Sequence, residues 1–298
     1  MISAESVKAR LMNQAKTDGH MFQEKLMAYA LERAIYRISI SPYADRFTLK
    51  GGIFLYAVFG KQFMRATRDI DLEGQMISND ADSLRKIFAE IFALPCDDAI
   101  RFDISTLEAR NITEFKEYHG VNVTIMSYLD RTRIPVSIDI GFGDVIFPNR
   151  VKMDFPILLN MDTPSIFVYS LYSVVAEKFE AMTSLGLVNS RYKDFYDIYI
   201  IASEFDLDGR TLKNAVVETF THRQTGYADI VPFADDFPND PMRQTKWNAF
   251  IRKKKATRTV AFSNVINVIR LLLIPIVQSI QEKSDFKKTW NHKEMDWS

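Results

Sequence analysis

Two aspartates stand two positions apart in the segment RATRDIDL, inside an apolar frame. In a β-strand, residues i and i+2 point to the same face. Asp69 and Asp71 are therefore predicted to project together, while Ile70 and Leu72 enter the core. Carboxylates this close repel each other and resist joint ionisation unless a cation lies between them. Because hard divalent cations prefer oxygen ligands, the pair predicts a metal site for Mg²⁺ or Mn²⁺.

A third acid has the same setting in the segment PVSIDIGFGD. Apolar and polar residues alternate there, which places Asp139 on the face opposite Ile138 and Ile140. If this strand pairs beside Asp69 and Asp71, three carboxylates converge. Such a cluster suits phosphoryl or nucleotidyl transfer, in which metal ions neutralise phosphate charge and a base accepts a hydroxyl proton. Asp139 is the candidate for that base or for a third metal ligand.

A glycine pair precedes these acids in the segment FTLKGGIFLYAVF. Gly51 and Gly52 stand at the start of an apolar helix, where backbone N–H groups without side chains can bind phosphate oxygens. Lys50, Arg65 and Arg68 add positive charge nearby. Taken alone, a D-x-D pair is more often a solvated surface feature, and a glycine pair is a weaker signal still. The ordered set of glycines, helix, D-x-D strand and later lone aspartate favours a triphosphate site.

The elements that must position these groups form two halves. We predict an α+β fold with a first domain over residues 1–165 and a helical domain over residues 166–298. The strands around Asp139 alternate as in an antiparallel sheet with one solvated face. The polar residues 282–298 are predicted to be frayed. Strands are expected at 47–49, 69–72, 101–110, 121–129 and 134–142, and helices at 21–38, 53–59, 81–92, 170–184, 192–204, 210–222, 244–254 and 260–280.

Composition narrows the class of protein. Of the 298 residues, 47% are apolar and 26% are charged, which is typical of a globular chain with a sizeable core. A single cysteine, Cys96, excludes a disulfide framework and a cysteine-rich zinc site. The charged N-terminus lacks the apolar core of a signal peptide. We therefore expect a cytoplasmic protein. The formal net charge is zero, so nucleic-acid binding requires local patches. Residues 260–280 contain Arg270 and Pro275 and are predicted to form a buried helix pair or a kinked helix, with no membrane span.

The ordered segments KGGIFL, RATRDIDL, VSIDIG and EKFEAMTSLGLVNSRYKDFYDIYII resemble those of the AbiEii/AbiGii toxin family, within the DNA polymerase beta-like nucleotidyltransferase superfamily. The resemblance extends over roughly residues 20–205. It implies an N-terminal nucleotidyltransferase lobe with a mixed or antiparallel sheet, a C-terminal helical lobe, a divalent metal and a nucleoside triphosphate substrate. Family members are toxins of toxin–antitoxin or abortive-infection (phage defence) systems, and some extend the 3′ end of tRNA and block translation. The implied partner is an AbiEi-like antitoxin on a separate chain.

The resemblance also assigns roles in the second half of the chain. Lys178 and Thr183 match the family's lysine-containing motif, and Arg191 and Asp194 match its Arg-to-Asp motif. Lys178 would contact the triphosphate, and Asp194 would orient Lys178 or Arg191. From the residues alone, an exposed lysine paired with a neighbouring glutamate and a helix-capping aspartate are the simpler interpretations. The superfamily commonly has Gly-Ser in its phosphate loop. Here the pair is Gly51–Gly52, which has no serine hydroxyl and offers only backbone groups.

Residues 243–258, RQTKWNAFIRKKKATR, hold seven cationic residues and no acidic one. Basic charge with the interleaved Trp247 and Phe250 suits an RNA backbone and an unstacked base. An amphipathic helix with a core tryptophan is an equal alternative. The preceding loop is acidic and could offset this charge or contact an antitoxin; its acids are Asp229, Asp235, Asp236 and Asp240.

The leading hypothesis is a metal-dependent nucleotidyltransferase toxin that transfers a nucleotide from a nucleoside triphosphate to RNA, with the tRNA 3′ end as the implied acceptor. A protein or small-molecule acceptor is the first alternative. A catalytically silent nucleotide-binding protein of the same fold is the second, disfavoured because all three acids are present. The preferred triphosphate stays open, since base selection depends on the shape of the pocket.

Overall fold

The computed structural model describes residues 2–60, 68–114, 118–228, 230–254 and 259–298. The chain divides into two compact units, one of residues 1–143 with 151–168 and the other of residues 144–150 with 169–298. The domain boundary expected after residue 165 stays a prediction. Arg65, Asp229 and residues 255–258 of the basic segment lie outside the described part of the chain.

The first unit combines helices with a mixed sheet, which confirms the α+β class. Its strands are β1 (Phe47–Lys50), β2 (Asp69–Gly74), β3 (Ile100–Glu114), β4 (Tyr118–Leu129), β5 (Thr132–Phe142), β6 (Val151–Asp154) and β7 (Ser165–Val168), and its helices are α1 (Ala4–Asp18), α2 (Phe22–Ile40), α3 (Gly51–Phe59) and α4 (Ala81–Ala93). The strand order is β3-β4-β5-β2-β1-β7-β6. The pairs β2–β5 and β1–β7 are parallel and the other described pairs are antiparallel.

The sheet of the first unit has one buried face and one polar face. On β5, Ile134, Val136, Ile138 and Ile140 are at most 1% exposed, as the alternating pattern predicts. Helix α2 packs against this strand and supplies its own buried apolar residues. The polar side chains of β5 therefore point away from the core, and they are the ones available for chemistry.

The second unit is mainly helical. Its helices are α5 (Leu171–Leu185), α6 (Tyr192–Glu204), α7 (Gly209–His222), α8 (Pro241–Lys254) and α9 (Phe262–Gln281), and its strands are β8 (Leu207–Asp208), β9 (Thr289–Asn291) and β10 (Asp296–Trp297). Helix α9 contains Pro275 and packs against α6 and α7. Among the described residues, it is the one helix long and apolar enough to cross a membrane, and one side of it is buried inside this unit.

The expectation that residues 282–298 are frayed is wrong. They form β9 and β10, which pair with β8 in a three-stranded sheet. Trp290 is fully buried and its indole Nε1 donates to the Ala202 carbonyl oxygen at 2.7 Å, while Trp297 is 7% exposed. Each tryptophan buries a large apolar surface, so two of them anchor a segment whose average composition is polar.

Candidate functional site

The parallel pairing of β2 with β5 brings the three predicted acids together. Asp71 lies opposite Asp139 in this register, and Asp69 lies opposite Ser137. One carboxylate oxygen from each of the three aspartates lies within 4.8 Å of the others. Ile70 and Leu72 are fully buried on the opposite face. The pairing on which the sequence-based site depended is therefore present.

This acidic triad, Asp69, Asp71 and Asp139, fits a hard divalent cation. All its ligand atoms are carboxylate oxygens, and the three side chains are accessible to solvent. Oxygen donors suit Mg²⁺ or Mn²⁺. Three carboxylates held this close gain from a cation between them, because their mutual repulsion otherwise opposes ionisation.

The glycine pair lies directly against the triad. Helix α3 begins at Gly51, whose φ is +65°. A Cβ atom at this position would lie 2.0 Å from Oδ2 of Asp71, which is far inside van der Waals contact. The backbone N–H of Gly52 donates to the same Oδ2 at 3.3 Å. The start of α3 therefore places the N–H of Gly52 beside the acids, and position 51 requires a glycine both for conformation and for space.

Alanine at position 51 is expected to reduce the free energy of unfolding by about 2–3 kcal/mol, because left-handed strain adds to the clash with Asp71. Nucleotide transfer should fall by about tenfold or more as the carboxylate is displaced. Gly19→Ala is the matched control, since Gly19 has a φ of +69° and an added Cβ there would meet no other group within 4 Å. Thermal unfolding and transfer rates of both variants test this. Equal losses in the two would show that the Asp71 contact has no importance.

Lys50 and Arg68, both predicted to contact the triphosphate, have different surroundings. The ammonium of Lys50 contacts Oε2 of Glu73 at 2.7 Å, and the Glu73 side chain is 1% exposed. Arg68 is exposed, and its backbone N–H donates to Oδ1 of Asp69 at 3.2 Å. Contact of either residue with a triphosphate stays a prediction. Glu73 was missed because the predicted strand ended at Leu72, although it continues the alternation of Asp69 and Asp71.

A second residue that the sequence did not single out contacts the triad from β4. Asn122 donates its side-chain amide to Oδ1 of Asp139 at 2.6 Å and to Oγ of Ser137 at 2.8 Å. Its place among apolar residues in the strand GVNVTI is the only sequence signal. Which acid it meets depends on the pairing of β4 with β5, and that register cannot be obtained from local pattern alone.

In the second unit, Lys178 lies between two buried aspartates. Its Nζ contacts Oδ1 of Asp194 at 2.7 Å and Oδ2 of Asp197 at 2.8 Å, and Arg191 contacts Oδ2 of Asp194 at 2.8 Å. The Lys178 side chain is 12% exposed, so the interpretation as an exposed lysine is wrong. Burial opposes ionisation of Asp194, but Lys178 and Arg191 outweigh it and hold the pKa of this carboxyl below its usual value. The contacts expected of Asp194 are present, and its role toward a nucleotide stays a prediction.

The basic segment is only partly available for RNA. Trp247 is 1% exposed, packs against Tyr192 and Phe262, and donates its indole N–H to the Val260 carbonyl oxygen at 2.8 Å. A nucleobase cannot stack on Trp247, so the alternative of a core tryptophan is confirmed. Lys246 and Arg252 are exposed on the same helix, α8. Lys246 and Arg252 therefore stay candidates for phosphate contact.

Comparisons with known proteins bear on this site. The family model described as "Nucleotidyl transferase AbiEii toxin, Type IV TA system" matches residues 33–268. A comparison with curated proteins gives no match. Among solved structures, the JHP933 protein of Helicobacter pylori is 13% identical, with a TM-score of 0.48 over 85% of this chain and 92% of its own. A candidate nucleotidyltransferase from H. pylori is 12% identical, with a TM-score of 0.48 over 86% and 96%. The family match covers well over half of the chain, including every site residue named above.

Proposed function

The chain belongs to the AbiEii family of nucleotidyltransferase toxins, and on that basis we propose that it transfers a nucleotide from a nucleoside triphosphate to the 3′ end of an RNA, with tRNA as the acceptor. The observation that carries this proposal is the convergence of the three carboxylates beside the N-terminus of α3. A blocked tRNA 3′ end would stop translation, which accounts for toxicity. A cytoplasmic location, a role in phage defence and neutralisation by a separate antitoxin belong to the same proposal.

We assign the divalent cation, Mg²⁺ or Mn²⁺, to Asp69, Asp71 and Asp139. When bound, it supplies charge neutralisation and polarisation of the phosphate that is attacked. The N–H groups of Gly51 and Gly52 are assigned to oxygens of the triphosphate at the positive end of the helix dipole, with the Gly52 N–H exchanging its contact with Oδ2 of Asp71 for a phosphate oxygen. In the helical unit, Lys178 and Arg191, held by Asp194, are assigned to phosphate binding as cations.

The proposed reaction is a displacement at the α-phosphorus. The oxygen of the RNA 3′ hydroxyl attacks this phosphorus, and the new P–O bond forms as the bond to the bridging oxygen of pyrophosphate breaks. The carboxylate of Asp139, the candidate base, accepts the hydroxyl proton. Pyrophosphate leaves with the electron pair of the broken bond. Lys246 and Arg252 are assigned to the RNA backbone by charge.

Incubating the protein with each labelled nucleoside triphosphate, Mg²⁺ and total tRNA tests the proposal. We expect label on tRNA with the wild-type protein and none with Asp69→Ala. Labelled RNA that persists with Asp69→Ala would contradict the assignment of the triad. Parallel reactions with cell lysate, resolved on a denaturing gel, and with aminoglycosides identify a protein or small-molecule acceptor. Binding of triphosphate without transfer to any acceptor would favour the silent nucleotide-binding alternative.

A further inference from the structure

The side-chain NH₂ group of Asn122 lies next to the acidic triad. Both of its N–H bonds have acceptors, Oδ1 of Asp139 at 2.6 Å and Oγ of Ser137 at 2.8 Å. We propose that Asn122 is a positioning residue that orients the Asp139 carboxylate toward the divalent cation. The inference rests on the proposed function, because it assumes that the triad binds a metal.

The sheet register explains how one amide can do this. Asn122 lies opposite Asp139 in the pairing of β4 with β5, and Asp139 lies opposite Asp71 in the pairing of β5 with β2. The three residues therefore form a row across adjacent strands, with Asn122 on the side of Asp139 that is remote from Asp71. A donor on this side fixes one carboxylate oxygen of Asp139. The other oxygen can then be shared with the acids on β2 in binding a cation.

The chemistry of an amide suits this position better than that of a lysine. A carboxylate only accepts hydrogen bonds, so the NH₂ group of Asn122 must face Asp139 and the amide orientation is defined. The amide carries no charge, so the triad keeps its full negative charge for a divalent cation. Glu73, which pairs with the ammonium of Lys50 at 2.7 Å, illustrates the contrast, since its charge is compensated. Hydrogen-bond partners of metal ligands typically contribute a factor of about 10–100 to metal affinity or activity.

The test is Mn²⁺ binding to the full-length free protein, followed by electron paramagnetic resonance, for the wild type, Asn122→Ala and the near-isosteric Asn122→Leu. We expect both variants to bind Mn²⁺ about 10–100-fold more weakly than the wild type. Raised Mn²⁺ concentrations should restore most of the transfer rate, which a purely structural defect would not allow. Thr124→Ala is the matched control, because Thr124 lies two residues along β4 on the same face and contacts none of the acids in a described hydrogen bond.

The outcomes separate this inference from the function on which it rests. Wild-type protein that binds no Mn²⁺ would overturn the metal-dependent function together with the role of Asn122. Wild-type binding that is matched by Asn122→Leu would overturn the positioning role alone. Asn122→Leu keeps the side-chain shape, so it serves where Asn122→Ala fails to fold, and thermal melting of each variant shows which applies.

Discussion

Replacing Asp71 by asparagine is expected to reduce nucleotide transfer by at least about a hundredfold, because the divalent cation loses one of three charged ligands and several kcal/mol of transition-state stabilisation. The asparagine oxygen can still accept the hydrogen bond from Gly52 that Oδ2 of Asp71 accepts at 3.3 Å. The start of α3 should therefore keep its conformation. The loss of activity would then report on the charge at position 71 rather than on the shape of the site.

The same substitution should leave thermal stability unchanged or raise it. Three carboxylates within 4.8 Å repel one another when no cation is bound, and Asp71→Asn removes one of the charges. Groups that serve catalysis at a cost in stability commonly show this behaviour. Initial transfer rates and melting temperatures in chelator test both halves of the prediction. Glu108→Gln, an exposed substitution on β3 far along the sheet order from β2, is the control that should change neither quantity.

A large drop in melting temperature together with the lost rate would contradict this interpretation. Asp71 would then be holding the start of α3 in place, and its contact with Gly52 would be structural. The Gly51→Ala variant distinguishes the two cases, because it displaces Asp71 without removing the charge.

The local sequence pattern was sufficient to predict the direction in which each side chain of the triad points. Alternation put Asp69 and Asp71 on one face and Asp139 on the polar face of its own strand, and burial of Ile70, Leu72, Ile138 and Ile140 agrees. Period-2 alternation reports which way a side chain points in any strand with one buried face. It does not report which strands are neighbours. The sequence therefore predicted that Asp71 and Asp139 would lie together only if their strands were neighbours. The parallel β2–β5 pairing shows that they are.

Residues outside the prediction share a dependence on distant partners. Glu73 contacts Lys50 from a different strand, and Asn122 meets Asp139 through a hairpin register. Trp247 lies among basic residues in the sequence and was therefore a candidate for stacking on a base, but Tyr192 and Phe262 pack against it. The C-terminal residues are polar on average, yet Trp290 is anchored by a hydrogen bond to the carbonyl oxygen of Ala202, which is distant in the sequence. In each case tertiary packing outweighed local composition, which sequence patterns do not register.

Replacing Lys178 by methionine is expected to reduce the free energy of unfolding by about 3–5 kcal/mol, since removing one partner of a buried ion pair leaves an uncompensated charge. Asp194 and Asp197, whose side chains are 1% and 0% exposed, both lose a contact shorter than 3 Å. Arg191 still pairs with Asp194 but is itself 48% exposed. Chemical denaturation measures the loss. Lys193→Met is the control on the exposed side of α6 and should stay within about 0.5 kcal/mol of the wild type.

The loss caused by Lys178→Met should depend on pH in a defined direction. In the wild type the pKa of Asp194 is lowered, because Lys178 and Arg191 outweigh the opposing effect of burial. A lowered folded-state pKa contributes stability that is present above the unfolded value of about 3.9 and is lost as pH falls through the folded value. Without Lys178 the pKa of Asp194 rises toward or above the unfolded value, so this contribution shrinks or changes sign. The stability difference between wild type and variant should therefore narrow as pH falls from about 5 through the lowered folded-state pKa of Asp194. A difference that is constant over this range would contradict the pairing.

Stability alone does not separate a structural Lys178 from one that also binds the triphosphate. The two roles differ in what the folded variant does at a temperature well below its melting point. A charge-assisted hydrogen bond to phosphate contributes about 1.5–3 kcal/mol, so folded Lys178→Met should bind nucleoside triphosphate roughly 10–100-fold more weakly. Unchanged binding by the folded variant would restrict Lys178 to holding Asp194 and Asp197 together. Lys193→Met is the control here as well, because both variants remove one positive charge from the same part of the helical unit. Weaker binding by Lys178→Met alone, with wild-type binding by Lys193→Met, would assign the Lys178 ammonium a direct contact with the substrate.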